Sequence, residues 1–185
     1  LWLLCSLPVF TIGASTCAML ASLTAMRQEE ARQSAARLGV HDVRFLGLTD
    51  GGFYTQDELL RGIARSIGEF RPDAVFAPDP CVTSECHIDH LNVGEAVRRA
   101  AYLAPYKKIM AGYGAIRAPV SALAYYMTAK PNVFIKTSGY VKAQLDAIFS
   151  CHKTQFPAGS PDAKSIALYN VVWSLAPNVA GFVPK

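Results

Sequence analysis

The sequence predicts an α/β fold: a single domain with a Rossmann-like, doubly wound, mostly parallel sheet and helices on both faces. Helix-periodic and strand-like segments alternate from residue 25 onward, which implies parallel crossovers. A short, continuous apolar run at residues 74–77 (AVFA) has the pattern of a strand buried on both faces. The loop after that run gathers histidines and carboxylates, and sheets of this kind bind ligands beyond the carboxyl ends of their strands. At 185 residues the chain is long enough for one substantial core.

The elements follow in order. Residues 1–26 carry no charged side chain, but Pro8, Gly13 and several Ser and Thr interrupt the apolar run, and no basic region precedes it. We read this stretch as a buried strand or the scar of a truncated or frame-shifted reading rather than a membrane span. It divides the chain into an atypical apolar segment, 1–24, and a folded domain, 25–185. Residues 25–38 (AMRQEEARQSAARL) are good helix formers and stop at Gly39. Residues 43–48 (VRFLGL) read as a short strand before the turn Thr49-Asp50-Gly51-Gly52. Thr55 and Glu58 form a capping box, after which Leu59, Leu60, Ile63, Ile67 and Phe70 share one helical face. Arg71-Pro72-Asp73 ends that helix and the 74–77 strand follows.

Residues 91–104 form the next helix, with Val93, Val97, Ala100, Ala101 and Ala104 on its apolar side. Residues 123–127 and 132–136 read as strands around Lys130-Pro131, and 140–151 as a helix whose apolar face His152 continues. Residues 163–173 hold one more helix.

Composition narrows the function. Hydrophobic residues make up 51% and charged residues 17%, far from the composition of disordered chains. The net charge of +4 comes from basic residues scattered singly or in pairs, so no stripe for nucleic acid emerges. Five cysteines at irregular spacing argue against a secreted disulfide framework and for a reducing, cytoplasmic setting.

The chemistry concentrates in residues 78–90, PDPCVTSECHIDH. His87 and His90 are three apart at a strand-to-helix junction and can face one pocket, while Asp89 can accept from a ring nitrogen. A structural zinc site from Cys81, Cys86, His87 and His90 is too cramped for the two separated ligand pairs of familiar zinc modules.

These residues carry a family resemblance. The stretch 71–78, then His87-Ile88-Asp89-His90 and Val93-Gly94, resembles the second signature of the LmbE-like (PIG-L) N-deacetylases. Arg27-Gln28-Glu29-Glu30 is similar to that family's Arg-x-x-Glu helix, and Leu46-Gly47-Leu48-Thr49-Asp50-Gly51 to its following strand and turn. Tyr125-Tyr126, Pro131-Asn132-Val133-Phe134 and His152-Lys153-Thr154-Gln155 resemble its C-terminal stretch, so the likeness covers residues 25–157.

The resemblance implies zinc-dependent hydrolysis of an N-acetyl group, with an N-acetylglucosamine-type small molecule as substrate and Zn2+ as cofactor. It implies His90 as a zinc ligand, His87 as the acid or oxyanion-stabilising histidine, Asp89 as the carboxylate that orients a histidine, and Arg27 and His152 near the substrate. The family's His-Pro-Asp-Asp signature has no counterpart here, since no histidine precedes His41. The chain is therefore expected to be N-terminally incomplete or a degenerate member, and inactive or weakly metal-binding alone. Thr154 replaces the usual Ser, and Lys136 stands where an acidic residue is common. A noncatalytic binding protein on the same fold and a metal hydrolase of another amide or ester stay open as rivals. A membrane partner is disfavoured, and a homo-oligomer stays open.

Overall fold

In the computed structural model the described residues are 17–135, 139–161, 164–165 and 180–182. They fall into two compact units, one containing residues 46–134 and 180–182, the other 17–45 and the described residues of 135–179.

The first unit is built around α2 (Gln56–Phe70), β1 (Ala74–Pro78) and α3 (Ile88–Leu103). The capping box forms as expected: Glu58 N–H donates to Thr55 Oγ1 at 3.2 Å, and Thr55 N–H donates to the Glu58 carboxylate at 2.8 Å. Such a cap contributes about 1 kcal/mol. Leu59, Leu60, Ile63 and Ile67 are buried on the face that α2 turns to α3, and Phe70 is half-buried. Arg71 closes the helix in the left-handed region, its N–H donating to Ile67 C=O. From α3, Val93, Ala96, Val97, Ala100 and Ala101 complete this core with Val75, Ala77 and Leu123. Each fully buried aliphatic side chain contributes roughly 1.5–3 kcal/mol.

β1 pairs in parallel with β2 (Ala122–Tyr126), from Ala74 opposite Ala122 to Pro78 opposite Tyr126. α3 and the short α4 (Lys107–Gly112) lie in the crossover between the two strands, the parallel βαβ connection read from the sequence. The fold is α/β with a small parallel sheet. Val133–Ile135 (β3) pairs with Ala180–Phe182 (β4) in a second two-stranded sheet. Two readings need correction. No strand forms over residues 43–48; Gly47 takes φ +72°, which breaks the extended run, and Thr49 makes only an isolated antiparallel bridge to Phe53. The 88–103 helix also starts three residues earlier than its apolar pattern, which brings Asp89 and His90 inside its first turn.

In the second unit, α1 (Cys17–Arg37) packs with α5 (Val141–Cys151). The start of α1 lies within the apolar segment, where Ala18, Met19, Leu20 and Ala21 are all good helix formers. Gly39, at φ +76°, follows the helix end as expected. Arg37 and Asp146 pair between the two helices. Of the expected 163–173 helix, only residues 164 and 165 lie among the described residues.

Candidate metal and catalytic site

The site grows from the end of β1. Asp79 turns the chain, its carboxylate accepting from Cys81 N–H at 2.9 Å. At the other end of the loop, His87 is the N-cap of α3, and its Nδ1 accepts from Asp89 N–H at 3.3 Å. Gly94 lets the helix approach the strand end: a Cβ there would lie 2.4 Å from the Pro78 carbonyl oxygen. One glycine on α3 thus fixes the distance between the strand end and the helix that carries the histidines.

His87 and His90, three residues apart, stack with ring centroids 4.7 Å apart. Both side chains are partly shielded, at 14% and 22% exposure. Glu85, which sequence reasoning passed over, ties them together. One of its oxygens accepts from His87 N–H at 2.7 Å and the other meets His90 Nδ1 at 2.9 Å. These contacts, that with His90 first, hold the Glu85 carboxyl below its ordinary range.

Asp89 is buried, beside His87, and its carboxylate has three further donors. It accepts from Gly51 N–H at 2.7 Å, Gly52 N–H at 2.9 Å and Tyr54 O–H at 2.6 Å. Its nearest approach to a histidine nitrogen is 3.7 Å, at His87 Nδ1. Gly51 and Gly52 hold φ +87° and +79°, and this double left-handed turn aims both amides at the carboxylate. Asn92 Nδ2 donates to Tyr54 oxygen at 3.3 Å. Burial, then the bond to Asp89, pushes Tyr54 up to about 12, so it remains a neutral donor.

The same turn delivers Asp50, whose Oδ1 is 4.0 Å from His87 Nε2. Burial and the adjacent Asp89 push Asp50 up to about 6. Asp89 is pushed up by burial, but the bonds from Asp50, Tyr54, Gly51 and Gly52 outweigh that and bring it to about 2. Each of Asp50, His87 and Asp89 offers a ligand atom within 4.8 Å of the others. A nitrogen donor among carboxylate oxygens is the kind of set that zinc takes. The donors present therefore fit such an ion in kind. His90 stands outside that trio, with Nδ1 held by Glu85.

Arg27 and His152 belong to the second unit. His152 is buried at 4% exposure, and burial lowers its pKa. It feels the charges of Glu30 and Arg27, whose Nε and Nη1 are shielded from solvent. Glu30 accepts from Thr154 N–H at 2.8 Å and from its hydroxyl at 2.7 Å. The Arg-x-x-Glu helix and the His152–Gln155 stretch thus come together here. Three described cysteines are free: Cys81 and Cys86 exposed, Cys151 buried. No helix among the described residues is long and apolar enough to cross a membrane.

Comparison with known proteins points one way. The family model PIG-L, GlcNAc-PI de-N-acetylase, matches residues 11–101. The chain is 32% identical over 156 residues to diacetylchitobiose deacetylase of Thermococcus kodakarensis, covering 80% of this chain and 58% of that protein. It is 32% identical over 142 residues to a Bacillus anthracis protein described as a probable N-acetyl-alpha-D-glucosaminyl L-malate deacetylase 2, covering 73% of this chain and 58% of the other. The chain thus spans 58% of the length of each of these relatives. Among solved structures, N,N'-diacetylchitobiose deacetylase of Pyrococcus horikoshii with its inhibitor superposes at TM-score 0.74 and 26% identity, covering 89% of this chain and 65% of that one. A 4-carboxy-2-hydroxymuconate hydratase from Pseudomonas putida shares the fold at TM-score 0.62 and 19% identity, covering 89% of this chain and 72% of that one.

Proposed function

This chain carries a domain of the PIG-L (LmbE-like) family, and on that premise we propose that it is the core of a zinc-dependent N-deacetylase acting on an N-acetylglucosamine-type conjugate. The observation that carries the reading is the pair His87 and His90, stacked 4.7 Å apart beyond the end of β1 with carboxylates on both sides. Both sequence relatives are named for removing acetyl groups from N-acetylated sugars. The doubly wound, Rossmann-like sheet belongs to the same reading, supported by the parallel β1–β2 pair and its helical crossover.

His90 Nε2 would hold the metal, with Asp50, the carboxylate grouped with His87 and Asp89, as an oxygen donor. When bound, zinc supplies a water of lowered pKa and a positive charge for the amide carbonyl. His87 stands beside His90 with Nε2 toward Asp50, where it would hold a proton for the oxyanion or the leaving amine. Asp89 fixes the Gly51-Gly52 turn and through it Asp50, so it positions the site rather than reacting. Arg27 and His152 would bind substrate. Free thiols at Cys81, Cys86 and Cys151 agree with a cytoplasmic setting.

The test is acetate release from N,N'-diacetylchitobiose and from an N-acetylglucosaminyl malate by the zinc-loaded protein. Release that falls roughly 10²–10³-fold in His87→Ala, with zinc retained, supports the reading. Zinc bound through His90 with hydrolysis of another amide or ester, but no acetate from either sugar, overturns the substrate assignment. The hydratase likeness shows that this fold alone does not fix the chemistry.

A further inference from the structure

His90 can present either ring nitrogen to a metal, and which one is free depends on what the other nitrogen binds. Among the described residues, the hydrogen-bond partner of its ring nitrogens is Glu85, at 2.9 Å from Nδ1. A carboxylate can only accept, so Nδ1 carries the proton, and in the neutral ring Nε2 keeps its lone pair. Glu85 is itself held in place: its second oxygen accepts from His87 N–H at 2.7 Å, and its own N–H donates to Val82 C=O at 3.2 Å. Its side chain is 17% exposed, so the pair is partly shielded from water.

We propose that Glu85 is the positioning residue for His90, fixing it as the Nδ1–H tautomer and aiming Nε2 at the metal. This deepens the reading of His90 as a ligand and rests on it. Asp89, expected to orient a histidine, lies against His87, with its N–H donating to Nδ1 at 3.3 Å, and its oxygens accept from Gly51, Gly52 and Tyr54. Glu85 is the carboxylate that meets His90. A carboxylate on the far nitrogen also raises the basicity of the ligating one, and removing such a partner weakens metal binding roughly 10–100-fold.

The experiment measures two things on Glu85→Ala and Glu85→Gln. The first is the His90 tautomer in the chelator-treated protein, from long-range 15N–1H correlations. The second is zinc affinity by competition with a chromophoric chelator. With four histidines in the chain, the His90 signals are assigned by their loss in His90→Ala. The proposal expects Nδ1–H in the wild type and a shift toward Nε2–H in Glu85→Ala. Zinc affinity should fall roughly 10–100-fold in Glu85→Ala and less in Glu85→Gln, which keeps a neutral acceptor. A purely structural Glu85 would lower thermal stability without moving the tautomer. Nε2–H in the wild type overturns the proposal, as does Glu85→Ala binding zinc within about twofold of wild type while His90→Ala loses it. Zinc retained in His90→Ala overturns the reading of His90 itself, and so separates the two failures. If Glu85→Ala does not fold, Glu85→Gln decides by the same two measurements.

Discussion

The loop from Asp79 to His90 and the contact of α1 with the stretch after α5 hold their polar groups by different means. Around α3, the loop from Asp79 to His90 is stitched by bonds between residues two to five apart: Asp79 to Cys81, Glu85 to His87, His87 to Asp89 and Glu85 to His90. Between α1 and the stretch after α5, the bonds join residues far apart in sequence: Glu30 meets Thr154, 124 positions on. The first arrangement can persist while distant parts of the chain loosen. The second exists only when both helices are in place.

The largest expected effect is at His90. His90→Ala should weaken zinc binding by more than about a hundredfold, exceeding the loss from a supporting residue, as measured by metal content after dialysis. Equal metal content in variant and wild type would erase the distinction between ligand and support.

Next comes the contact between Gly94 and Pro78. Gly94→Ala places a methyl 2.4 Å from a backbone oxygen that no rotamer change can move. Unfolding in urea should show a loss of about 3 kcal/mol, at the upper end of overpacking costs. A loss under 1 kcal/mol would mean that α3 can slide from the strand end, and the site with it.

Asp50 and His152 should also answer pH with opposite signs. Asp50, pushed up to about 6, binds a proton more tightly in the folded chain than in the unfolded one. Its contribution is full below about pH 4 and fades as pH rises through about 6. His152, lowered by burial, does the reverse: its contribution is present above about pH 6.5 and is lost as pH falls. Asp50→Asn should remove the first slope and, after allowance for solvent screening, stabilise the protein at pH 8 by about 1 kcal/mol. Stability curves of Asp50→Asn and His152→Gln between pH 4 and 8 check both signs. If Asp50→Asn leaves the slope unchanged, the crowding of Asp50 and Asp89 is not felt by the folded chain.

The smallest expected effect is at Thr154. Thr154→Val removes the hydroxyl bond to Glu30 but keeps the backbone one, and should cost about 0.5–1 kcal/mol in thermal denaturation. A larger loss would make the long-range bonds of the second unit more important than the local ones of the first.

What could be read from the sequence follows the same division. The Thr55–Glu58 capping box, the 74–77 strand and the shared face of His87 and His90 all rest on spacings of a few residues, and they form. The true partners of Asp89 were out of reach, because Gly51 and Gly52 lie 38 and 37 positions away and nothing local marks them. Glu85 was within reach: a carboxylate two residues before a histidine of the motif was visible, but its value depends on the loop bending back toward His90. The 43–48 strand was misread because its apolar content hides Gly47, whose positive φ no extended strand accommodates. The Ala-rich 17–24 stretch was set apart for its lack of charge, although helix propensity there matches the residues that follow.

The account is tested most directly by the zinc content of the purified protein, measured alongside His90→Ala. Zinc taken up by the wild type at saturating concentration and not by His90→Ala is the result it predicts. A wild type that binds no zinc at saturating concentration, or a His90→Ala protein that keeps its zinc, would contradict it.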